Sequence, residues 1–208
     1  MSKRAGAVSA QTKEDILTAA ANELVLNGFQ GTSLRKIAAA AGVTTGAIYF
    51  FFEGKDQLFE AVISKVTRPF MQFMKEHYES EHDFMNKKPS ENLNEDIAIS
   101  LRLIDFYFQN KKIWDILLRE LNHPAVQEFI ESFADYSAQH YMELLKLASE
   151  QQKRGKGIDP FAVQQYAHMQ LDTMLTLISR DFSREEMTEH SRTVTKMLRA
   201  AFMSLLED

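Results

Sequence analysis

The sequence predicts an all-α protein: an N-terminal three-helix unit containing a helix-turn-helix, followed by a larger C-terminal helical part. Three observations predict it. Apolar residues recur with a helical period along nearly the whole chain, and no convincing strand alternation appears. Helix start and stop residues punctuate that pattern at Gly28, Gly42, Gly54, Asp159-Pro160 and Ser183. The helical pieces between Thr32 and Gly54 are short, and those after Lys55 are long.

Taken in order, Thr12 with Asp15 three residues on is a variant capping box that opens the first helix. Ile16, Ala20 and Leu24 form its apolar stripe, and Gly28 closes it. Thr32 or Ser33 caps a second helix through Leu34, Ile37, Ala38 and Ala41, ended by Gly42. Thr44 starts a third, which runs to about Phe51 before Gly54 breaks it. A long helix follows from Lys55 to about Glu81. Pro69 within it removes a hydrogen bond and crowds the preceding turn, so a kink is expected at Lys65–Arg68. The polar stretch His82–Ser90, with Pro89, reads as a loop. Helices are then expected over 92–109, 111–121 and 124–152, with Pro124 in a first turn. Residues 154–157 read as a loop, Asp159-Pro160 as a cap with proline at the first helical position, and the next helix runs to about Arg180. Ser183 and Glu186 form a capping box for the last helix, to about Leu206. The division expected is 1–55, of which 1–10 is a flexible basic arm, and 56–208.

The 208 residues are 45% hydrophobic, enough for a real core. There is no apolar run of about eighteen residues, the length that spans a membrane. MSKRAGAVSA lacks the apolar core of a secretory signal. The cysteine count is zero, which excludes disulfide scaffolds and cysteine-ligated zinc and makes a cytoplasmic location the expectation. Net charge is -5. Residues 1–60 hold six Lys/Arg and six Asp/Glu, so this segment is neutral and the rest carries the whole -5. A nucleic-acid function must therefore rest on geometry rather than on a basic composition, and modest phosphate neutralisation implies a dimer with marked salt dependence.

The informative segment is Ser33-Leu-Arg-Lys-Ile-Ala-Ala-Ala-Ala-Gly-Val-Thr-Thr-Gly-Ala-Ile-Tyr-Phe-Phe-Phe52. Two short helices joined by a tight turn need a small residue where they cross, and Ala38 supplies it. They need a turn residue that tolerates a left-handed backbone, and Gly42 supplies it. They also need an apolar plug from the second helix, and Ile48 supplies it. Thr44 or Thr45 caps an outward-facing helix start suited to a phosphate. Thr45, Gly46, Ala47 and Tyr49 then form an exposed face whose small side chains let the helix sit deep in a major groove. An ordinary helical hairpin has the same spacing. Three consecutive phenylalanines, Phe50 to Phe52, tilt the balance: some must pack under the next helix, while Tyr49 projects outward and Lys55 can reach a phosphate.

From Gly28-Phe-Gln-Gly-Thr-Ser-Leu-Arg-Lys-Ile-Ala through Ala41-Gly-Val-Thr-Thr-Gly-Ala-Ile-Tyr to Phe52, Lys55, Leu58 and Phe59, the sequence resembles the tetracycline-repressor-like (TetR) family of transcriptional regulators. The resemblance covers about residues 12–60. It implies that Thr44, Thr45, Gly46, Ala47 and Tyr49 lie at double-stranded DNA, with Phe50 in the same set, and that Thr32, Ser33 and Lys55 touch phosphates. Phe51 departs from the family's usual His or Tyr, Gly54 from its Ser or Asn, and Glu53 adds an acidic group. These departures imply weaker intrinsic affinity, which the arm Lys3-Arg4 can offset.

The resemblance also implies a homodimer paired through the last two helices, about 160–180 and 184–206, and a small-molecule cavity between the middle helices. The apolar residues agree. Val194, Met197, Leu198, Ala201, Phe202 and Leu205 make a broad stripe, and Leu171, Met174, Leu175, Leu177 and Ile178 cover more than one side of their helix. Phe129, Phe133, Tyr136, His140 and Leu144 share one face, able to line a cavity or simply to form core. The candidate effector residues are Phe70, Met74, His77, Phe106, Trp114, Phe133, Tyr136, His140 and Met169. The effector expected is small and mainly apolar with one or two polar handles, releasing a repressor from a palindromic operator. No cofactor, metal or catalytic residue is assigned.

Two other readings compete. Glu79/His82 and Glu120/His123 are Glu-x-x-His pairs of the kind a ferritin-like di-iron site uses, but the middle helices offer no further inward glutamates. A helical small-molecule carrier keeps the large domain and gives up the N-terminal argument. No Ser-His-Asp or phosphate-loop pattern supports an enzyme.

Overall fold

In the computed structural model of the chain, residues 2–81, 89–152 and 158–205 are described. Among them are nine helices and no strand, so the all-α expectation holds. In order they are α1 Ser2–Gly31, α2 Leu34–Ala40, α3 Thr45–Phe51, α4 Lys55–Ser80, α5 Pro89–Gln109, α6 Lys111–Arg119, α7 Pro124–Gln152, α8 Pro160–Ser179 and α9 Arg184–Ser204. No helix among the described residues is long and apolar enough to cross a membrane.

The local signals place most of the boundaries. Gly28 and Gly42 take left-handed backbone, φ 65° and 67°. Thr44 Oγ1 accepts from the Ala47 N–H at 3.2 Å. Asp159 accepts from Phe161 N–H at 2.9 Å, with Pro160 in the first turn. Ser183 and Glu186 form the full reciprocal box. Ser33 precedes α2 in an extended conformation but makes no side-chain cap bond.

Three expectations are corrected. Thr12 does not open the first helix, because the backbone is already helical from Ser2 and Thr12 lies inside it. The preceding segment is rich in alanine, which favours helix without a cap. The segment expected as a flexible arm is thus helical from Ser2 to Ala10; the side chains of Lys3 and Arg4 lie outside the described part. Pro89 is not in a loop but at the start of α5, where its missing N–H costs nothing. Helix α4 runs through Pro69 and is helical on both sides of it, as the long helix expected from Lys55 does. The loops expected at 82–88 and 154–157, and the last helix's end at Leu206, lie outside the described residues.

By contact the chain divides into two compact units, Met1–Pro69 with Asn110–Val126 and Phe70–Gln109 with Gln127–Asp208. The unit that holds the helix-turn-helix therefore extends beyond residue 55 and includes α6. Its core contains Ile16, Ala20, Leu24, Ile37, Ala38, Ile48, Phe52, Leu58, Phe59 and Val62, all buried. Helix α6 and the turn after it close the end of α1. Arg119 Nη1 donates to the Val25 carbonyl at 2.7 Å, and Glu120 Oε1 accepts from the Phe29 N–H at 2.7 Å. Those groups would otherwise be orphans of a helix terminus, and the arginine also suits the negative end of the helix dipole. In the second unit α9 packs on α5 and α8. Tyr107 donates to the Ile178 carbonyl at 3.2 Å, and Arg199 pairs with Asp96 at 2.9 Å.

The two left-handed glycines differ in surroundings. A Cβ on Gly42 would meet nothing within 4 Å, whereas one on Gly28 would stand 3.0 Å from Glu120 Oε1. Gly42→Ala is therefore expected to cost only backbone strain, about 1 kcal/mol. Gly28→Ala should cost more, about 2–3 kcal/mol, because it also disturbs a half-buried charged acceptor. Urea unfolding of both variants checks this, and in a Glu120→Ala background the two penalties should converge.

Candidate nucleic-acid interface

The first unit presents α3 with two dissimilar sides. Ile48 is 0% exposed and Phe52 3%, so the helix is held by its inner side. On the outer side Tyr49 is 58% and Phe50 78% exposed. Thr44 and Gly46 are exposed, and Thr45 and Ala47 are half-buried. Thr44, Thr45, Gly46, Ala47, Tyr49 and Phe50 are thus brought together on one short helix and its cap. The expectation that the three phenylalanines split is met: Phe52 is buried, Phe51 half-buried, and Phe50 projects. The Phe50 and Phe51 rings meet edge to face, 5.0 Å apart at 87°.

The groups implied as phosphate contacts are arranged differently. Thr32 is buried, its hydroxyl donating to the Gly28 carbonyl at 2.6 Å and its N–H to the Phe29 carbonyl at 3.2 Å. Its polar groups serve the turn between α1 and α2. Ser33 is half-buried at the start of α2. The Lys55 ammonium donates to the Gln30 carbonyl at 3.3 Å and lies 4.5 Å from the Phe29 ring centre. Gly54 has no side chain to cap α4. Gln57 reaches back instead, accepting from the Glu53 N–H at 2.7 Å.

In the second unit, the candidate effector residues divide. Phe70, Met74 and Phe133 are buried, and the Phe70 ring meets Phe129 at 5.8 Å and Phe133 at 5.1 Å. His77, Phe106, Tyr136 and His140 are half-buried. Trp114 is 2% exposed but belongs to the first unit, because α6 packs with α1. Met169 is 41% exposed, in an open groove on α8 lined by Gln165, His168, Asp172, Thr173 and Thr176. The most buried line of α7 runs through Phe133, Ser137, Tyr141 and Leu144, so the predicted face is rotated by about one residue past Tyr136 and His140.

Sequence reasoning missed a polar chain inside this unit. Tyr78 O–H lies 2.9 Å from Ser137 Oγ and 3.4 Å from Tyr141 O–H, and Tyr141 donates to Gln170 Oε1 at 2.6 Å. Burial pushes the Tyr78 phenol up to about 12 and the Tyr141 phenol well above its usual range. The His140 ring stacks on Tyr78 at 4.1 Å and its Nε2 lies 2.6 Å from Glu81 Oε2. His77 Nε2 stands 3.6 Å from the other oxygen of Glu81. Burial lowers the His77 pKa, against the opposing pull of Glu81 and Asp96. Only the aromatic content of Tyr78 and Tyr141 signalled this cluster.

Of the residues in the two Glu-x-x-His pairs, three are described. Glu120 is engaged by the Phe29 N–H, and the His123 ring packs 4.4 Å from Phe29 and 4.2 Å from Phe59 in the first unit. Glu79 belongs to the second unit, and His82 lies outside the described residues. Among the described residues no group of three or more His, Asp or Glu side chains is arranged to hold a metal ion.

Residues 16–62 match the family model for bacterial regulatory proteins of the tetR family. The chain is 29% identical over 159 residues to the HTH-type transcriptional repressor BepR of Brucella suis biovar 1, covering 74% of this chain and 72% of that one. It is 28% identical over 189 residues to the probable acrEF/envCD operon repressor of Escherichia coli K12, covering 88% and 78%. The fold is similar to that of the transcriptional regulator FadR from Bacillus subtilis, solved in complex with stearoyl-CoA. The TM-score is 0.65 at 16% identity, over 90% of this chain and 98% of that one.

The buried His77 carries a pH signature. Its folded pKa lies below that of a free imidazole, so the fold favours the neutral ring. Its contribution to stability is present above that value and is lost as pH falls below it. Wild type should therefore lose stability between about pH 7.5 and about pH 5.5, and His77→Gln should lose less over the same window. Urea midpoints at the two pH values check this. Asp96, whose carboxyl burial pushes up, has the opposite slope at lower pH.

Proposed function

Since the chain is a TetR-family transcriptional regulator, we propose that it binds a palindromic operator as a homodimer, represses transcription there, and is released by a small, mainly apolar effector. The observation that carries this reading is α3, whose inner side is anchored by the fully buried Ile48 while Gly46, Tyr49 and Phe50 face outward. A two-turn helix held in this way, capped by Thr44 and set behind a left-handed glycine, has the shape of a recognition helix in a major groove. Its relative in Brucella suis is a transcriptional repressor, and that in Escherichia coli is a probable operon repressor.

Pairing is supported by apolar residues that one protomer leaves uncovered. Phe161 is 70%, Met169 41% and Met197 66% exposed on α8 and α9, while Val194, Leu198 and Ala201 are half-buried. A two-fold interface presents each of these residues twice, so a modest patch is enough for association. Two reading helices then address half-sites about 34–36 Å apart.

Control by an effector requires different affinities for two arrangements of the protein. Helix α4 follows α3 after a three-residue connection and carries Phe70, Met74 and His77 in its second half, so the effector residues favoured here share an element with the start of the chain after the reading helix. The effector contacts favoured are Phe70, Met74, His77, Phe106, Phe133, Tyr136 and His140. The aromatic side chains supply the apolar surface, and the imidazoles and the Tyr136 phenol supply the polar handles.

Selection of bound sequences from a random duplex pool should return a palindrome, and a non-repeating site would reject the paired reading. Tyr49→Ala should weaken binding to that site by about tenfold or more with thermal melting unchanged, as expected for an exposed base-reading side chain. Met197→Glu should yield folded monomers by light scattering, because each substitution places its charge twice in the same interface.

A further inference from the structure

The outer side of α3 has an unusual chemistry for a surface that selects DNA sequence. From Thr44 to Phe52 the chain reads Thr-Thr-Gly-Ala-Ile-Tyr-Phe-Phe-Phe, with no Arg, Lys, Asn, Gln, Asp or Glu. The side chains that make paired hydrogen bonds to guanine or adenine in the major groove are therefore missing from the helix. One of its hydroxyls, that of Thr44, already caps the helix by accepting from the Ala47 N–H. What the helix extends instead is a phenyl ring. Phe50 is 78% exposed, four residues beyond Gly46 and so on the same face, where Gly46 presents no side chain to hold the groove away. Its ring meets the half-buried Phe51 at right angles, with centres 5.0 Å apart.

A phenyl ring cannot donate to a base edge. The one apolar group that a natural base pair displays in the major groove is the C5-methyl of thymine. We propose that Phe50 is the specificity-determining residue of the reading helix, packing on thymine C5-methyl groups of double-stranded DNA, so that each half-site is selected by apolar contact. This rests on α3 being the helix that enters the groove. The surface is continuous with Tyr49, whose phenol serves the neighbouring phosphate or base while the ring of Phe50 covers the methyl.

Deoxyuridine differs from thymidine only in lacking that methyl. The test measures binding of the full-length protein to its selected operator by fluorescence anisotropy, with each half-site thymine replaced in turn by deoxyuridine. Replacement at one or two positions per half-site should weaken binding about fourfold for each methyl removed, the effect of one buried carbon. Phe50→Ala should bind the thymine operator more weakly and discriminate no longer between thymine and deoxyuridine at those positions. The ring is exposed, so its melting temperature should match wild type. Indifference of the wild type to every deoxyuridine would overturn the proposal, while loss of binding in Tyr49→Ala would leave the groove reading of α3 standing. Deoxyuridine sensitivity that persists in Phe50→Ala would also overturn it. So would a Phe50→Ala variant that changes oligomeric state, which would make the ring a contact between copies of the chain.

Discussion

The structure of the first unit depends on keeping a two-turn helix in place. An isolated helix of seven residues is unstable in water, because nucleation costs more than so few hydrogen bonds return. Helix α3 exists because Ile48 and Phe52 are buried in a core shared with Ile16, Ile37 and Val62. Each such side chain contributes about 2–3 kcal/mol of apolar burial. The small Ala38 lets α2 and α3 approach, and Gly42 turns the chain between them without the strain a side chain would add. Since the inner residues and the Thr44 cap hold the helix, the outward side chains of Tyr49 and Phe50 are not needed to anchor it. That separation is what lets an exposed Phe50 persist on a stable fold.

The same unit shows where sequence reasoning reaches and where it stops. Gly28, Gly42, Thr44, Asp159 and the Ser183–Glu186 box act on backbone groups within a few residues of themselves, so their effect is legible from spacing alone. The closure of α1 by Arg119 and Glu120 joins residues more than ninety positions apart. Nothing in the period or the caps of either segment announces that pairing. Its consequence, that α6 belongs with the first unit and takes Trp114 with it, could not be read from a helix pattern. The start of α1 was misjudged for the opposite reason. A strong local cap signal at Thr12 and Asp15 was outweighed by helix-forming residues before it, and Asp15 accepts instead from the Gln11 side chain at 2.9 Å.

In the second unit the helices were legible, and the faces they bury only in part. The stripe on α7 was recognised as amphipathic, but its centre lies along Phe133, Ser137 and Tyr141. A helix of this length has apolar residues on adjacent faces, and the sequence does not say which face the neighbours cover. Ser137 is fully buried because it hydrogen-bonds Tyr78, a partner on another helix. Buried polar groups demand partners, and a satisfied chain of this kind fixes the register of α4 against α7 within the unit more narrowly than apolar packing does. The imidazoles of His77 and His140, meeting at Glu81, extend that chain to the half-exposed edge.

Charge sets the remaining constraint on how such a protein can hold DNA. The first sixty residues are neutral, and several cations of the first unit are already engaged. Lys65 lies 2.6 Å from Glu14, Lys36 lies 3.6 Å from Glu23, and Lys55 is drawn to a carbonyl and an aromatic face. Phosphate neutralisation by one copy is therefore small, and a single half-site is a weak one. Two half-sites held in one assembly bind as an intramolecular pair, so weak contacts combine into useful affinity only when both heads reach the duplex together. In the dimer proposed above, a change in the spacing of the two heads would remove the stronger part of the binding free energy. Under the proposed control, an effector with a modest preference for one arrangement would be enough to switch the complex.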